Sequence, residues 1–144
     1  MAVSQLEIWK ISATERVLAA AGVITFAAGS FVVWYFDPTK AGFFPVCPLY
    51  SMTGLACPGC GLTRGFHALF HGDLVTALDY NALIPFFVLI FGFFLISMIF
   101  IAIRGRGLLR LTQFPKLLFG FFILLIVFGI LRNLPIYPFT FLYP

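Results

Sequence analysis

Three long apolar runs, separated by shorter polar segments, organise the chain. They cover residues 17–36, 83–103 and 114–131. A helix of roughly 20 mostly apolar residues is long enough to cross the hydrocarbon core of a bilayer. The third run is somewhat shorter, and we expect the long side chain of Lys116 near its start to reach the lipid headgroups. The pattern therefore predicts three transmembrane helices.

The first run admits two interpretations, because it is N-terminal and follows Lys10 and Arg16. A cleavable signal peptide has this order of features, but its apolar segment is usually only about 7–15 residues long. We therefore expect an uncleaved signal anchor, and both interpretations send loop 37–82 to the same side of the membrane. Small residues recur at every fourth position of the run and predict a face that another helix approaches closely: Ala21, Thr25 and Gly29.

Loop 37–82, between the first and second runs, contains a shorter helical pattern. Its apolar residues recur with helical spacing at Leu62, Phe66, Leu69 and Phe70. We expect Gly72 to end this helix and Asp73 to cap the N-terminus of the next one. Both helices are too short to span a bilayer. The pattern predicts an amphipathic pair, 62–71 and 74–80, that lies at the membrane surface.

Basic residues near the apolar runs predict the orientation, because the cytoplasmic side of a membrane protein carries more Lys and Arg. One side has six of them: Lys10, Arg16, Arg104, Arg106, Arg110 and Lys116. The other side has three: Lys40, Arg64 and Arg132. The N-terminus and the 104–116 connection are therefore predicted to be cytoplasmic. Loop 37–82 and the C-terminal tail are then extracytoplasmic.

Composition supports a membrane protein and excludes several other classes. Of the 144 residues, 62% are hydrophobic and 10% are charged, whereas soluble domains are about 45–50% apolar and about 25% charged. A chain of this length buries only about two-thirds of its surface in water and could not hide so many apolar residues. The net charge of +4 arises without a basic run, which excludes an ordinary nucleic-acid-binding protein. We predict an all-α integral membrane protein with a single membrane domain, residues 1–144.

All three cysteines and both histidines lie between residues 47 and 71, around the sequence Cys57-Pro58-Gly59-Cys60-Gly61, here called the Cys turn. Its glycines permit a tight turn of the kind that forms a metal knuckle. Four ligands for a tetrahedral zinc ion have the spacing C-x2-C-x6-H-x3-H: Cys57, Cys60, His67 and His71. The six-residue gap is shorter than the roughly 12–15 residues usual in such sites. Cys47 is an alternative ligand.

Two other interpretations of the cysteines remain open at this stage. On the extracytoplasmic side thiols meet an oxidising environment, so Cys47 can form a structural disulfide with Cys57 or Cys60. The third interpretation is thiol redox chemistry, in which Arg64 favours a thiolate at Cys60. No βαβ pattern surrounds the motif, and Gly61 disfavours a helix that continues from the second cysteine. The two histidines, taken one at a time, are ordinary polar residues of a surface helix.

The arginines on the outer side are further candidates, because charged side chains close to a bilayer are costly. Arg64 and Arg132 are predicted to converge on an anion such as a lipid phosphate or a carboxylate, since arginine binds both in a bidentate manner. The alternative is that each extends to the headgroups and pairs with an aspartate. The predicted binding residues are Thr63, Arg64, Asp73, Arg132 and Asn133.

The cysteine signature resembles a bacterial membrane family named domain of unknown function 2752. The resemblance is carried by the run Cys-Pro-Leu-Tyr…Thr-Gly…Cys-Pro-Gly-Cys-Gly-Leu-Thr-Arg…Gly-Asp-Leu that begins at Cys47, and by Arg-Asn-Leu-Pro at 132–135. It covers roughly residues 45–144. Two positions depart from the expected pattern: Gly65 replaces alanine, and Ala82 replaces proline after Asn81. The resemblance implies a bacterial cytoplasmic (inner) membrane protein and implies no activity.

These observations lead to one functional expectation and one alternative. We expect a non-enzymatic membrane module whose loop 37–82 and C-terminal tail form a cap on the extracytoplasmic face. This cap would bind a lipid, a small anion, another membrane protein or a second copy of the chain, and no nucleic acid. The alternative is a membrane enzyme that uses the Cys, His and Arg residues for thiol redox or zinc-dependent chemistry.

Overall fold

The computed structural model describes residues 12–105 and 115–142, and the regular elements in these ranges are helices without any strand. The predicted all-α class is therefore confirmed for the part described. Six α-helices occur there: α1 (Ala13–Tyr35), α2 (Pro48–Thr53), α3 (Leu62–Phe70), α4 (Leu74–Tyr80), α5 (Ile84–Arg104) and α6 (Pro115–Leu131). A 3₁₀ turn, Phe139–Leu142, follows. Some residues used in the predictions lie outside the described ranges: Lys10, Arg106, Arg110 and Phe114.

Two helices are long and apolar enough to cross a membrane, α1 with 23 residues and α5 with 21 residues. At about 1.5 Å per residue they extend roughly 35 and 32 Å, against a hydrocarbon core of about 30 Å. Helix α6 is as apolar as α5, but its 17 residues extend only about 26 Å. Two of the three predicted spans are thus long and apolar enough to cross a membrane, and the third is shorter than an untilted span requires.

Helix α1 begins four residues earlier than the apolar run predicted, because Ser12 and Glu15 form a capping box. The Ser12 side chain accepts from the Glu15 N–H at 3.3 Å, and the Glu15 carboxylate accepts from the Ser12 N–H at 2.8 Å. Each bond satisfies an N–H group that the start of a helix leaves without a partner. The extension brings Arg16 into the helix.

Helices α1 and α5 pack side by side in opposite directions. Arg16, in the first turn of α1, donates to the carbonyl oxygens of Ala102 and Ile103 in the last turn of α5, each at 3.1 Å from Nη2. A cation at a helix C-terminus also interacts favourably with the helix dipole. Farther along, Phe26 meets Phe91 edge to face at 6.1 Å between ring centroids.

The face of α1 that contacts α5 differs from the predicted one. A Cβ built on Gly22 would lie 3.0 Å from the Met98 sulfur, so the close approach occurs at Gly22. The predicted stripe of Ala21, Thr25 and Gly29 is exposed instead. Successive residues on a helix differ by about 100° in direction, so a shift of one position selects a different face.

Helices α3 and α4 form the predicted short pair and pack on the ends of α1 and α5. Gly72 connects them with a φ of 81°, in the left-handed region that favours glycine. Asp73 caps α4 by accepting from the Thr76 N–H at 3.0 Å, as predicted. The pair buries a small apolar core with the start of α5: Ala68, Ala77 and Ile84, with Leu62 and Leu69 partly buried around them.

Helix α6 places its C-terminal end against the Cys turn. A Cβ built on Gly129 would lie 3.0 Å from Pro58 Cγ, and Phe128 nearby is buried. The C-terminal end of α1 and the N-terminal end of α5 pack against the α3–α4 pair. Helix α3 begins directly after the Cys turn. The three long helices therefore all have one end near the cysteines. Much of their apolar surface is exposed, with Leu18, Leu89 and Leu117 each more than 60% accessible, as lipid-facing side chains would be.

Candidate functional site

The Cys turn is a compact hydrogen-bonded loop that ends at the start of α3. The Cys60 N–H donates to the Cys57 carbonyl at 2.9 Å, and the Cys57 N–H donates to the Cys60 sulfur at 3.2 Å. Gly61 has a φ of 81° and occupies the N-cap position of α3. A left-handed residue at this point favours glycine, because it has no Cβ. The local sequence thus builds a turn that presents both of its sulfurs close together.

Three cysteine sulfurs converge at this turn, and we call Cys47, Cys57 and Cys60 the Cys cluster. Their Sγ atoms all lie within 4.8 Å of one another. The Cys47 and Cys57 sulfurs are 3.2 Å apart, and the Cys57 and Cys60 sulfurs are 3.5 Å apart. A disulfide bond would require about 2.05 Å, and all three thiols are free. The structure therefore assembles a three-sulfur site in which no sulfur is bonded to another.

Cys47 and Cys60 lie in environments that shift their thiol pKa values in opposite directions. Burial raises the pKa of the Cys60 thiol to about 12, because the protein around it solvates a thiolate poorly. The pKa of Cys47 is lowered to about 7, chiefly by a hydrogen bond from the Tyr50 N–H and then by the Cys57 side chain. Cys47 is therefore the thiol with the higher thiolate population at neutral pH.

Arg132 lies directly behind the Cys turn and is only 1% exposed. Its Nη1 donates to the Cys57 carbonyl at 2.9 Å and to the Cys60 carbonyl at 3.2 Å. The guanidinium carbon lies 5.1 Å from the centroid of the Phe128 ring, which provides a cation–π contact. A buried positive charge is thus held against the backbone of two of the three cysteines.

Two asparagines complete the support of the turn. Asn133 accepts from the Ala56 N–H at 2.8 Å and donates to the Ala56 carbonyl at 2.8 Å. Asn81, which is 1% exposed, donates to the Pro58 carbonyl at 2.8 Å and to the Cys60 carbonyl at 3.1 Å. The contact between the turn and the segment after α6 agrees with the predicted cap. Asn81 was not among the predicted site residues, although a single asparagine next to a long apolar run is a signal that could have identified it.

The histidines are not brought to the Cys cluster. His67 Nδ1 lies 2.7 Å from the Val33 carbonyl at the end of α1, and His71 Nδ1 lies 2.9 Å from the His67 carbonyl. The His71 ring is stacked with Trp34 at 6.2 Å between centroids. Among residues 12–105 and 115–142, the one group of metal-ligating side chains consists of the three cysteines. Cys47, which the sequence offered as an alternative ligand, lies beside Cys57 and Cys60 instead, because α3 directs the histidines towards α1.

Arg64 has a different environment from Arg132. Its guanidinium carbon lies 5.2 Å from the centroid of the Tyr80 ring, and the side chain lines a cavity of about 180 Å³ that also involves Asp37 and His67. The two guanidiniums that the sequence predicted to converge therefore contact different groups. Of the other predicted binding residues, Thr63 lines a separate apolar groove between α1 and α3, and Asp73 caps α4.

The comparison with protein families supports the resemblance carried by the cysteine signature. Residues 47–95 match the family model described as "Protein of unknown function (DUF2752)". The matched segment contains the Cys cluster, α3, α4 and the first half of α5, which is about one third of the chain. The resemblance is confirmed over these residues. No curated protein and no solved structure matches the chain.

Proposed function

We propose that the protein is a multi-pass membrane protein whose Cys cluster binds a soft divalent metal ion, with zinc as the first candidate. The observation that carries this proposal is the approach of three unbonded sulfurs to within 4.8 Å on a turn that other segments hold in place. Thiolates are the ligands that zinc and other soft ions prefer over oxygen ligands. A metal ion is also the arrangement that uses all three sulfurs, whereas a disulfide leaves one of them out.

The distances between the sulfurs fit such an ion after a small adjustment. Tetrahedral zinc with Zn–S bonds of about 2.3 Å separates neighbouring sulfurs by about 3.8 Å. The two shorter separations, 3.2 and 3.5 Å, would therefore widen by a few tenths of an ångström. Three protein ligands leave the fourth tetrahedral position open for water or another ligand. A small anion or a side chain of a partner membrane protein would bind at this position.

The proposal places this site at the extracytoplasmic surface of a bacterial inner membrane. In this arrangement α1, α5 and α6 all cross the bilayer, and the N-terminus is cytoplasmic. Support comes from the three helix ends that meet near the Cys cluster and from the excess of basic residues at the opposite ends. Helix α6, at about 26 Å, would cross with Lys116 extended to the headgroups at one end and Arg132 anchored in the protein at the other.

We favour a binding module over an enzyme because of how the surrounding polar groups are used. Asn81, Arg132 and Asn133 all donate hydrogen bonds to backbone carbonyls of the Cys turn or of Ala56 next to it. Their contacts position the sulfurs. A site of this kind suits a structural or ligand-binding ion.

Metal analysis of the purified full-length chain tests the proposal. We expect about one zinc ion per chain, and we expect its loss in both Cys57→Ser and Cys47→Ser. His71→Ala is the matched control. The sequence spacing predicts that His71 is a ligand, whereas the structure places it away from the cysteines, so this variant should retain the ion. Three free thiols without bound zinc, even after incubation with zinc, would contradict the proposal. So would loss of zinc in His71→Ala with retention in Cys47→Ser.

A second candidate function is thiol–disulfide exchange, favoured by the 3.2 Å separation of the Cys47 and Cys57 sulfurs and the lowered pKa of Cys47. The Cys47 thiolate would attack a disulfide of a partner protein, form a mixed disulfide and release one partner thiol. Cys57 would then displace the second thiol and form the Cys47–Cys57 disulfide. The partner gains two electrons and the cysteine pair loses two. This candidate predicts that Cys57→Ser accumulates a mixed disulfide through Cys47, which the metal-binding function does not.

A further inference from the structure

A cavity of about 180 Å³ lies beside the C-terminal end of α1, and we call it the Arg64 cavity. Two opposite charges line it, Arg64 from α3 and Asp37 from the loop after α1. Both belong to the described part of the chain, and they form no ion pair with each other. Asp37 pairs with Lys40 at 3.3 Å, and the Arg64 guanidinium lies 5.2 Å from the ring centroid of Tyr80, another lining residue. A cation and an anion thus line one cavity without pairing.

The other polar groups of the Arg64 cavity are mainly hydrogen-bond acceptors. Thr39 Oγ1 donates to Asp37 at 2.7 Å, and Thr76 Oγ1 donates to the carboxylate that caps α4 at 2.7 Å, so both hydroxyls keep only lone pairs for a ligand. His67 donates from Nδ1 to the Val33 carbonyl at 2.7 Å, which leaves Nε2 of the neutral ring as an acceptor. Asp37 is ionised at neutral pH, because hydrogen bonds from Thr39 lower the pKa of its carboxyl to about 2. The cavity therefore offers acceptors for an ammonium group and one guanidinium for an anion.

An apolar groove of about 340 Å³ lies between α1 and α3 and is lined on α1 from Phe26 to Val33. Val33 connects the two features, because it lines the groove and its carbonyl accepts from His67 of the Arg64 cavity. A Cβ built on Gly29, which also lines the groove, meets no atom within 4 Å, so the groove is open at that point. A polar cavity at the end of a membrane-length helix and an apolar groove along that helix match the two parts of a phospholipid.

We propose that the Arg64 cavity and the apolar groove bind a phospholipid whose headgroup carries a primary ammonium group, such as phosphatidylethanolamine. The phosphate binds Arg64, since a guanidinium forms paired hydrogen bonds with phosphate oxygens. The ammonium donates to Asp37 and to the hydroxyl oxygens beside it, and an acyl chain occupies the groove. Lys40 is 85% exposed, and a surface ion pair of this kind is weak enough for a ligand to replace. The site shares no residue with the Cys cluster, so the inference goes beyond the metal-binding function.

Native mass spectrometry of the full-length chain in detergent tests the headgroup with three lipids that have the same acyl chains. Phosphatidylethanolamine carries a phosphate and a primary ammonium, phosphatidylcholine carries an ammonium without N–H groups, and phosphatidylglycerol carries no ammonium. We expect the first to bind about tenfold more tightly than the other two, the effect of one hydrogen bond between charged groups. Equal affinity for the three lipids would overturn the proposal, and this comparison needs no variant.

Two substitutions assign the headgroup contacts. Asp37→Asn should abolish the preference for phosphatidylethanolamine over phosphatidylcholine, and Arg64→Gln should lower the affinity for all three lipids about tenfold. Asp79→Asn is the matched control, because Asp79 is an exposed aspartate of α4 that does not line the cavity, and it should change neither quantity. Circular dichroism verifies the fold of each variant. A preference that survives in folded Asp37→Asn would refute the ammonium contact; if that variant does not fold, the three-lipid comparison decides.

The groove is tested by filling it. Gly29→Leu should weaken phosphatidylethanolamine binding about fourfold or more, roughly the effect of one methylene group lost from an apolar site. It should leave unchanged the binding of glycerophosphoethanolamine, which has the same headgroup without acyl chains. Gly92→Leu is the matched control, since a Cβ there also meets no atom within 4 Å and Gly92 does not line the groove. Equal affinity of the wild-type chain for the lipid and the free headgroup would show that the ligand is a soluble zwitterion and would overturn the lipid assignment, as would a folded Gly29→Leu without effect.

Discussion

Replacement of Gly65 by alanine tests how tightly α3 packs on the start of α5. Gly65 is buried in α3, and a Cβ built there would overlap the Cδ1 atom of Ile84 and lie 3.0 Å from the Ala77 carbonyl oxygen. Ile84 is itself only 1% exposed, so its side chain has little room to move away. Alanine is the residue that the family resemblance leads one to expect at this position, yet in this chain the space is already filled.

The expected magnitude follows from two opposing effects. Overpacking of a filled core costs about 1–3 kcal/mol, whereas alanine in place of glycine in a helix returns up to about 1 kcal/mol of helix propensity. We therefore expect Gly65→Ala to lower the free energy of unfolding by about 0.5–2 kcal/mol. Gly92→Ala in α5 is the matched control, because a Cβ there meets no atom within 4 Å, and it should cause no loss.

A second substitution identifies the clash directly. Ile84→Val removes Cδ1 and alone should cost about 0.5–1.5 kcal/mol through the cavity that it leaves. In the Gly65→Ala background the new methyl group fills part of that cavity, so the two changes should be non-additive and the double variant more stable than the sum predicts. The assay is unfolding of the purified chain in detergent, followed by circular dichroism. A fully stable Gly65→Ala, or strictly additive effects, would refute the packing described here.

Two further predictions concern the thiols and the orientation. In the metal-free reduced chain, iodoacetamide should modify Cys47 before Cys60, and the rate at Cys47 should rise with pH to a midpoint near pH 7, because the thiolate is the nucleophile and the pKa of Cys47 is lowered to about 7. A membrane-impermeant maleimide added to intact cells should label Gly42→Cys, in the exposed loop after α1, and should label Arg110→Cys only after the cells are permeabilised.

Each of these two measurements has its own control. For alkylation it is the denatured chain, in which the environments that distinguish Cys47 from Cys60 are lost; equal rates in the folded chain would show that the sulfur environments are not as described. For labelling it is the wild-type chain, whose own cysteines are distinguished from the introduced one by peptide mass. Labelling of Arg110→Cys in intact cells, with none at Gly42→Cys, would reverse the proposed orientation.

The elements that the sequence predicted well are those decided by local signals. Helix α4 begins and ends at the predicted residues because Asp73 caps it and Gly72 turns the chain before it. The early start of α1 also has a local cause, the Ser12–Glu15 capping box, which lies outside the apolar run that predicted the boundary. Helix α2 has six residues, too few to give a periodic pattern.

The parts of the site that could not be predicted depend on contacts between distant segments. Spacing alone placed His67 and His71 near the cysteines, but their ring nitrogens find backbone carbonyls on α1 and within α3. Arg132 looked like a surface anchor because it ends an apolar run, and only the packing of α6 against the Cys turn shows that it is buried. Spacing along one helix carries no information about which neighbouring segment comes to lie beside it.

The support of the Cys turn by residues from the end of the chain has a consequence for biogenesis. Arg132 lies 75 positions after Cys57, and Asn133 lies 77 positions after Ala56. During synthesis the cysteines emerge long before Arg132 and Asn133. Their contacts with these two residues can form only after α6 has been synthesised. The turn can reach its supported form only when α6 and the two residues after it have been made and inserted. A chain stopped before α6 would present its three thiols with the Asn81 contacts to the turn but without those of Arg132 and Asn133.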